Sequence, residues 1–197
     1  MARPRSITEG QILNAARGVF LEKGPKATTA EIAARAKVSE GSIFKRFPTK
    51  AALFQAAMGS GLEAPMWMQA LPQAQDMGLE EGLLFVGHAA LEFFIEMVPR
   101  MSMVMASLPK EHQQLPTFSC DGLPVRGIKL LTALIEEWQR QGKAREGDAS
   151  VAARIMIGSL FHFAFSEMSG INRWLPMSRE DFVSGLVKSL TQGLERR

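Results

Sequence analysis

The residues best suited to chemistry gather between positions 28 and 50. Thr28, Thr29, Ser39 and Ser42 offer hydroxyls, Lys37, Lys45, Arg46 and Lys50 offer cations, and Phe44 offers a ring, with Gly41 among them. That set does not activate a nucleophile or hold a metal. It suits a polyanion, and double-stranded DNA in particular. Hydroxyls and backbone N–H groups at helix starts bind phosphate. A basic fork matches guanine N7 and O6 in the major groove. Lys45 and Arg46 therefore read bases or contact phosphates alone, and both readings stand. Ser42 reaches a base edge or a phosphate, and Lys50 clamps phosphate. Gly41 weakens a helix but lets the backbone approach DNA closely.

Two short helices and a tight turn must position these groups. Thr28 with Glu31 has capping-box spacing, which predicts a helix over Thr29–Ala36. Ile32, Ala33 and Ala36 then face inward. Lys37, Val38 and Ser39 make the turn, with Val38 filling the angle between the helices. Ser39 caps a second helix over Glu40–Phe47, and Ile43 and Phe47 share its inner face. A lead helix precedes them. Ser6 and Glu9 form its capping box, Ile12, Ala15, Ala16, Val19 and Phe20 its inner face, and Gly24 and Pro25 its end. Pro48 stops the second short helix. Thr49 then caps a fourth helix whose Leu53, Phe54, Ala57 and Met58 pack on the lead helix. Gly59, Ser60 and Gly61 form either a hinge or simply that helix's end. Ahead of all this, Arg3 and Arg5 flank Pro4 in a basic arm. It lies along DNA or is a solvated tail.

Beyond residue 63 the pattern is again helical. Residues 64–77 read as a Pro-, Met- and Gln-rich connection with one helical turn. A long apolar helix covers about 79–98. Pro99 begins a short Met-rich helix over Met101–Leu108, and Pro109–Pro124 is mostly loop. Val125–Gln141 repeats its apolar residues at 3–4 spacing. Asp148 caps a helix to about Ser169, and Ser178 with Asp181 caps the last one. No strand alternation runs for any length. The fold class is all-α, with about nine helices.

Composition narrows the function. The chain has 197 residues, 46% hydrophobic and 22% charged, enough for a substantial core. Residues 1–50 hold ten Lys or Arg and four Asp or Glu, net +6, whereas residues 51–197 are net −3. A basic head on a mildly acidic body suits a polyanion partner for the head alone. No membrane is expected: the nearest candidate span, Val151–Met168, carries Arg154, His162 and Glu167. The basic start has no apolar stretch behind it, so no signal peptide is expected. The single cysteine, Cys120, excludes an internal disulfide and fits a reducing cytoplasm. An enzyme is disfavoured, since there is no nucleophile elbow, P-loop or dinucleotide glycine pattern. His88, His112 and His162 are scattered and do not form a zinc site with Cys120, so neither metal nor cofactor is expected.

Residues 9–58 resemble the DNA-binding domain of the TetR family of one-component transcriptional repressors. The resemblance is carried by Ile12–Gly24, by Thr28 and Thr29, by EIAARAKVSEGSIFKRF, and by Lys50–Leu53 before Phe54. The family pattern runs Gly, Ser or Thr, an aliphatic, an aromatic, two variable residues, Phe, then Lys three residues on. Gly41, Ser42, Ile43, Phe44, Phe47 and Lys50 fill those places. Phe44 departs from the family's usual Tyr and loses a phosphate hydrogen bond. Lys37 stands where Gly is common, and costs roughly 1 kcal/mol if its backbone is left-handed.

The resemblance implies a three-helix helix-turn-helix domain over residues 1–58, with a ligand-binding and dimerisation domain over 59–197. It implies a cytoplasmic homodimer on a palindromic operator, because one recognition helix covers only a half-site. The dimer would form from the last two helices as a four-helix bundle. Ala152, Ile155, Met156, Ser159, Leu160, Phe182, Leu186, Val187 and Leu190 are the candidate interface. A small-molecule effector, apolar or aromatic, would occupy the body and release the DNA. Candidate pocket residues are Phe85, His88, Met101, Met105, Phe118, Phe161, His162 and Phe165; Met suits irregular ligands. The alternatives are a ligand-independent architectural DNA binder and, less favoured, an enzyme. The sign of regulation is not encoded.

Overall fold

A computed structural model describes residues 8–59, 65–107 and 122–194. The basic arm, Ser6, Ser60, Gly61 and the stretch containing His112, Phe118 and Cys120 lie outside the described residues. Among the described residues there are nine α-helices and no strand: α1 (Glu9–Lys23), α2 (Thr29–Ala36), α3 (Glu40–Phe44), α4 (Lys50–Gly59), α5 (Met66–Ala74), α6 (Leu79–Ser107), α7 (Leu123–Arg140), α8 (Ala149–Ser169) and α9 (Arg179–Leu194). The fold is all-α. The chain divides into two compact units. Of the described residues, the first holds 8–59 and 100–107, and the second holds 65–99 and 122–194.

In the first unit α2 and α3 are too short to persist alone. Packing holds them. Ile12 and Ala16 of α1, Ile32 of α2, Ile43 of α3 and Leu53 and Ala57 of α4 are fully buried together. Each such Ile or Leu contributes roughly 1.5–3 kcal/mol. Phe20 meets Phe54 edge-on at 5.1 Å, joining α1 to α4. Arg17 Nε donates to Ala57 O at 3.1 Å, placing a cation on a carbonyl near the end of α4. Met103 and Val104 of α6 pack against the same core. Arg100 is buried in this unit, and burial beside Arg17 pushes its pKa down to about 10.

In the second unit α6 is central because it has glycines where neighbours press closest. A Cβ at Gly82 would lie 2.4 Å from Trp138 Cζ2 of α7. One at Gly87 would meet Val183 of α9 and Met156 of α8 at 3.0 and 3.1 Å. Trp67 of α5 lies over Gly127 of α7 in the same way. Phe163 stacks on Phe182 at 4.3 Å, fastening α8 to α9. Lys143 Nζ donates to the carbonyls of Gln75, Asp76 and Met77 after α5, at 3.2, 3.3 and 2.9 Å.

Several sequence expectations need correction. The α1 capping box is formed by Thr8 with Gln11. Regular helix in α3 ends at Phe44 rather than Phe47. The chain still turns through Phe47, whose N–H donates to Ile43 O at 2.8 Å, but Pro48 disfavours helical backbone before it. Residues 66–74 form a full helix, α5, because Trp67, Ala70, Leu71 and Ala74 bury one stripe despite Pro72. Pro99 does not break α6. It forfeits one hydrogen bond, at about 3 kcal/mol, while Val98 and Arg100 on either side are buried. Helix α7 starts two residues early, with Pro124 in its first turn, where a missing N–H costs nothing. Finally, α6 over Leu79–Ala106 and α8 over Ala149–Ser169 are long and apolar enough to cross a bilayer by length and composition. Both are core helices: about 44% of each stretch is buried inside the protein.

Candidate nucleic-acid interface

Local hydrogen bonding builds the turn between α2 and α3. The Thr28 hydroxyl accepts from Glu31 N at 3.3 Å, and Glu31 Oε2 accepts from Thr28 N at 3.0 Å. The capping box read from the sequence is therefore present. At the other end of α2, Val38 N donates to Ala33 O and Lys37 N to Ala34 O, at 3.0 and 3.2 Å. This Schellman pattern requires a left-handed residue. Lys37 supplies it at φ 56° and ψ 44°, the one non-glycine with positive φ among the described residues. Ser39 caps α3, its Oγ accepting from Ser42 N at 3.2 Å and lying 2.9 Å from Ser42 Oγ. Thr49 Oγ1 accepts from Ala52 N at 3.0 Å and caps α4.

With Ile43 and Phe47 facing in, the chemistry-bearing groups face out. Thr28, Lys37, Ser39, Gly41, Lys45, Arg46 and Lys50 are exposed, Thr29 and Ser42 are half-buried, and Phe44 is 43% exposed. Of the ten candidate residues, Thr28 and Thr29 thus open α2, Lys50 opens α4, and the other seven lie on or beside the α2–α3 turn and α3.

The head's cations are sorted. On the α1–α2 flank two are committed internally, Lys23 to Glu31 at 2.6 Å and Arg35 to Glu22 at 2.5 Å, while Lys26 in the turn between them pairs with no described residue. The Lys23 ammonium bond, with the Thr28 hydrogen bonds, holds the Glu31 carboxyl at about 2, well below 4.5. On the outer face, Lys37, Lys45 and Arg46 form no ion pair with any described residue. Arg46 Nη1 donates to Ser42 O at 3.1 Å, which engages one of its five donors. Sequence reasoning did not foresee that Thr29 Oγ1 donates to Glu40 Oε2 at 2.6 Å. The partners lie eleven residues apart on different helices, where no local pattern signals them.

The described candidate pocket residues are divided between the two units. Phe85 is exposed, and His88 Nε2 lies 3.5 Å from Glu180 Oε2 on the surface. Met101 and Met105 belong to the first unit, beyond Pro99. Phe161 meets Phe94 edge-on at 6.0 Å, while His162 and Phe165 are exposed on α8. Phe118 lies outside the described residues. Successive helical residues turn through about 100°, so neighbours such as Phe161 and His162 diverge.

The candidate interface residues also divide. Ala152, Met156, Leu160, Val187 and Leu190 are buried in the second unit's own core. Ser159, Phe182 and Leu186 are half-buried, and Ile155 is 48% exposed. Val151, Gly158 and Phe165, absent from the sequence-based set, join Ile155 and His162 along the outer side of α8.

Residues 12–57 match the family model described as bacterial regulatory proteins, tetR family. Over these residues, about a quarter of its length, the chain is similar to the tetR family. No curated protein matches the sequence. Solved structures match its fold over nearly the whole length. They include the TetR-family transcriptional regulator PfmR from Thermus thermophilus, 23% identical with TM-score 0.63, covering 94% of this chain and 99% of that one. A TetR-like transcriptional regulator from Rhodococcus is 24% identical with TM-score 0.62, covering 97% of each chain. SmeT, the repressor of the Stenotrophomonas maltophilia multidrug efflux pump SmeDEF, is 19% identical with TM-score 0.64, covering 96% of this chain and 91% of that one. At these identities the likeness shows the fold alone.

Proposed function

We propose that this protein is a cytoplasmic, one-component repressor of the tetR type that binds a palindromic operator as a homodimer and lets go when a small effector occupies its body. The observation that carries the reading is the sorting of charge in the head. Lys23 and Arg35 on the α1–α2 flank are engaged in internal pairs, whereas Lys37, Lys45 and Arg46 stand outside any ion pair with the described residues, beside Ser42 and Phe44 on the outer face. An uncommitted face of cations and hydroxyls on a helix-turn-helix suits a major groove. In this proposal Lys45 and Arg46 approach bases, and Thr28, Ser39, Ser42, Lys37 and Lys50 approach phosphates. Phe44 packs on a sugar or a thymine methyl. Residues 1–58 act as the reading domain and 59–197 as the sensing and dimerising domain.

Dimerisation is assigned to α8 and α9. Their outward contribution is the stripe through Val151, Ile155, Gly158, His162 and Phe165, flanked by Ser159, Phe182 and Leu186. Glycine and serine within the stripe permit close helix approach. The effector reading draws support from Trp67 and Trp138. Both are buried in the second unit, and neither indole N–H has a hydrogen-bond acceptor among the described residues. A buried donor left unsatisfied costs about 1–3 kcal/mol. An aromatic or apolar effector carrying one acceptor would relieve part of it. SmeT, which shares the fold, is a repressor, and the same sign is assigned here.

Selection of binding sites from a random duplex pool at fixed, near-physiological salt tests the proposal. Recovery of a palindrome with half-sites about one helical turn apart supports it. Sequence-blind, salt-sensitive binding by effector-free protein refutes it in favour of an architectural role.

A further inference from the structure

We propose that Glu40 reads cytosine at one position of each half-site, and that Thr29 is the residue that positions it. This rests on the operator-binding reading above and deepens it. Glu40 is the first residue of α3 and is exposed. The first residues of a recognition helix are the ones that approach base edges. An acidic side chain in a face otherwise made of Lys37, Lys45 and Arg46 weakens attraction to phosphate. It is also held in place: Oε2 accepts from Thr29 Oγ1 at 2.6 Å. A carboxylate accepts at two oxygens with about four lone-pair sites. One bond from Thr29 therefore fixes the group and leaves Oε1 for an incoming N–H.

The groove chemistry then selects the base. Cytosine presents its N4 amino group, a donor, in the major groove. Guanine presents only acceptors there, N7 and O6, which a carboxylate repels. Thymine presents the O4 acceptor and a methyl group. Adenine has the N6 donor, but its N7 acceptor stands beside it. A fixed, acceptor-only group accordingly favours cytosine and rejects guanine most. A phosphate contact is excluded by like charge. The hydroxyl of Thr29 is committed to Glu40, and its backbone N–H, at the first position of α2, is what it can offer phosphate.

The test is binding-site selection at one fixed salt concentration with wild type, Glu40→Gln, Glu40→Ala and Thr29→Val. Thermal unfolding by circular dichroism confirms that each variant folds. Wild type is expected to select cytosine at one column of each half-site, by on the order of tenfold. Glu40→Gln should move that single column to adenine, whose N6 and N7 pair with an amide. Glu40→Ala should flatten the column while raising affinity for random duplex. Thr29→Val should blur the column without changing its identity. A palindrome whose columns are identical in wild type and Glu40→Gln overturns the assignment and leaves operator binding intact. So does a uniform change in affinity across all sequences. If wild type selects no palindrome, operator reading and the role of Glu40 fall together.

Discussion

Replacing Lys37 by glycine should stabilise the first unit while weakening its hold on DNA. Lys37 sits at φ 56° and ψ 44°. Holding a non-glycine residue in the left-handed region costs about 1–2 kcal/mol. Glycine returns roughly 0.5–1 kcal/mol of that through its greater freedom in the unfolded chain. A net gain of about 0.5–1 kcal/mol remains. No contact offsets it: the closing hydrogen bonds from Val38 N and Lys37 N are backbone bonds, and the side chain is exposed without an ion pair to any described residue. The probe matters. Trp67, Trp138 and Trp174 all lie in the second unit, so tryptophan fluorescence is blind to the head. Amide hydrogen exchange in α1 and α2 is the direct assay, and about 0.5–1 kcal/mol slows it roughly two- to fivefold. Lys37→Ala relieves no backbone strain and serves as the control. If Lys37→Gly exchanges faster than wild type, or Lys37→Ala slows exchange equally, left-handed strain is the wrong explanation. In the same variants, loss of the cation should lower affinity for every duplex and reduce the salt slope by about one per head.

Gly82→Ala would bring a methyl group to 2.4 Å from Trp138 Cζ2; overpacking of about 1–3 kcal/mol outweighs the gain in helix propensity. Urea unfolding followed by tryptophan fluorescence should show a lower midpoint. Glu31→Gln tests the capping box through pH. The Glu31 carboxyl is depressed to about 2 from 4.5, so its contribution is present above about 4.5 and disappears as pH falls through about 2. The variant should unfold more easily than wild type at neutral pH and match it near pH 2. Ile155→Lys places a charge on the outward stripe of α8, where a two-fold axis sets like against like; analytical ultracentrifugation should show monomers, and an intact dimer would move the interface elsewhere. Lys50→Ala should weaken binding to specific and random duplexes alike and flatten the salt dependence; unchanged affinity removes Lys50 from the phosphate clamp.

What the sequence disclosed was mostly local. The roles of Thr28 with Glu31, Ser39, Thr49, Asp148 and Ser178 are all realised as read, because a cap is an interaction between residues three apart. The left-handed cost at Lys37 was legible for the same reason. Misreadings arose where tertiary burial overrode a local rule. Pro72 and Pro99 each argue for a break, yet the buried stripe of α5 and the packed residues around Pro99 keep both helices whole. On α8, apolar residues occur on nearly every face, so spacing alone could not divide core from surface. Met156 and Leu160 fell to the core, and Val151 and Phe165 to the exterior. The outward set of cations and hydroxyls was visible in the sequence, but the pairing of Lys23, Arg35 and Thr29 across helices was not.

That pairing bears on why the head is built as it is. A helix-turn-helix that used every cation for folding would be firmer and would bind nothing. Here Lys23 and Arg35 on the α1–α2 flank pair with Glu31 and Glu22. Exposed pairs of this kind contribute little to stability, about 0–1 kcal/mol each. Their larger effect is to remove two positive charges from competition with Lys37, Lys45 and Arg46 on the outer face. The face then keeps three features that folding alone would discard: a strained lysine at the turn, an exposed aromatic ring at Phe44 and a carboxylate at Glu40. Strain and exposure of this sort persist where another interaction favours them. A duplex would compensate all three at once, through phosphate at Lys37, a sugar or methyl group at Phe44 and an amino group at Glu40, which no single small ligand could do.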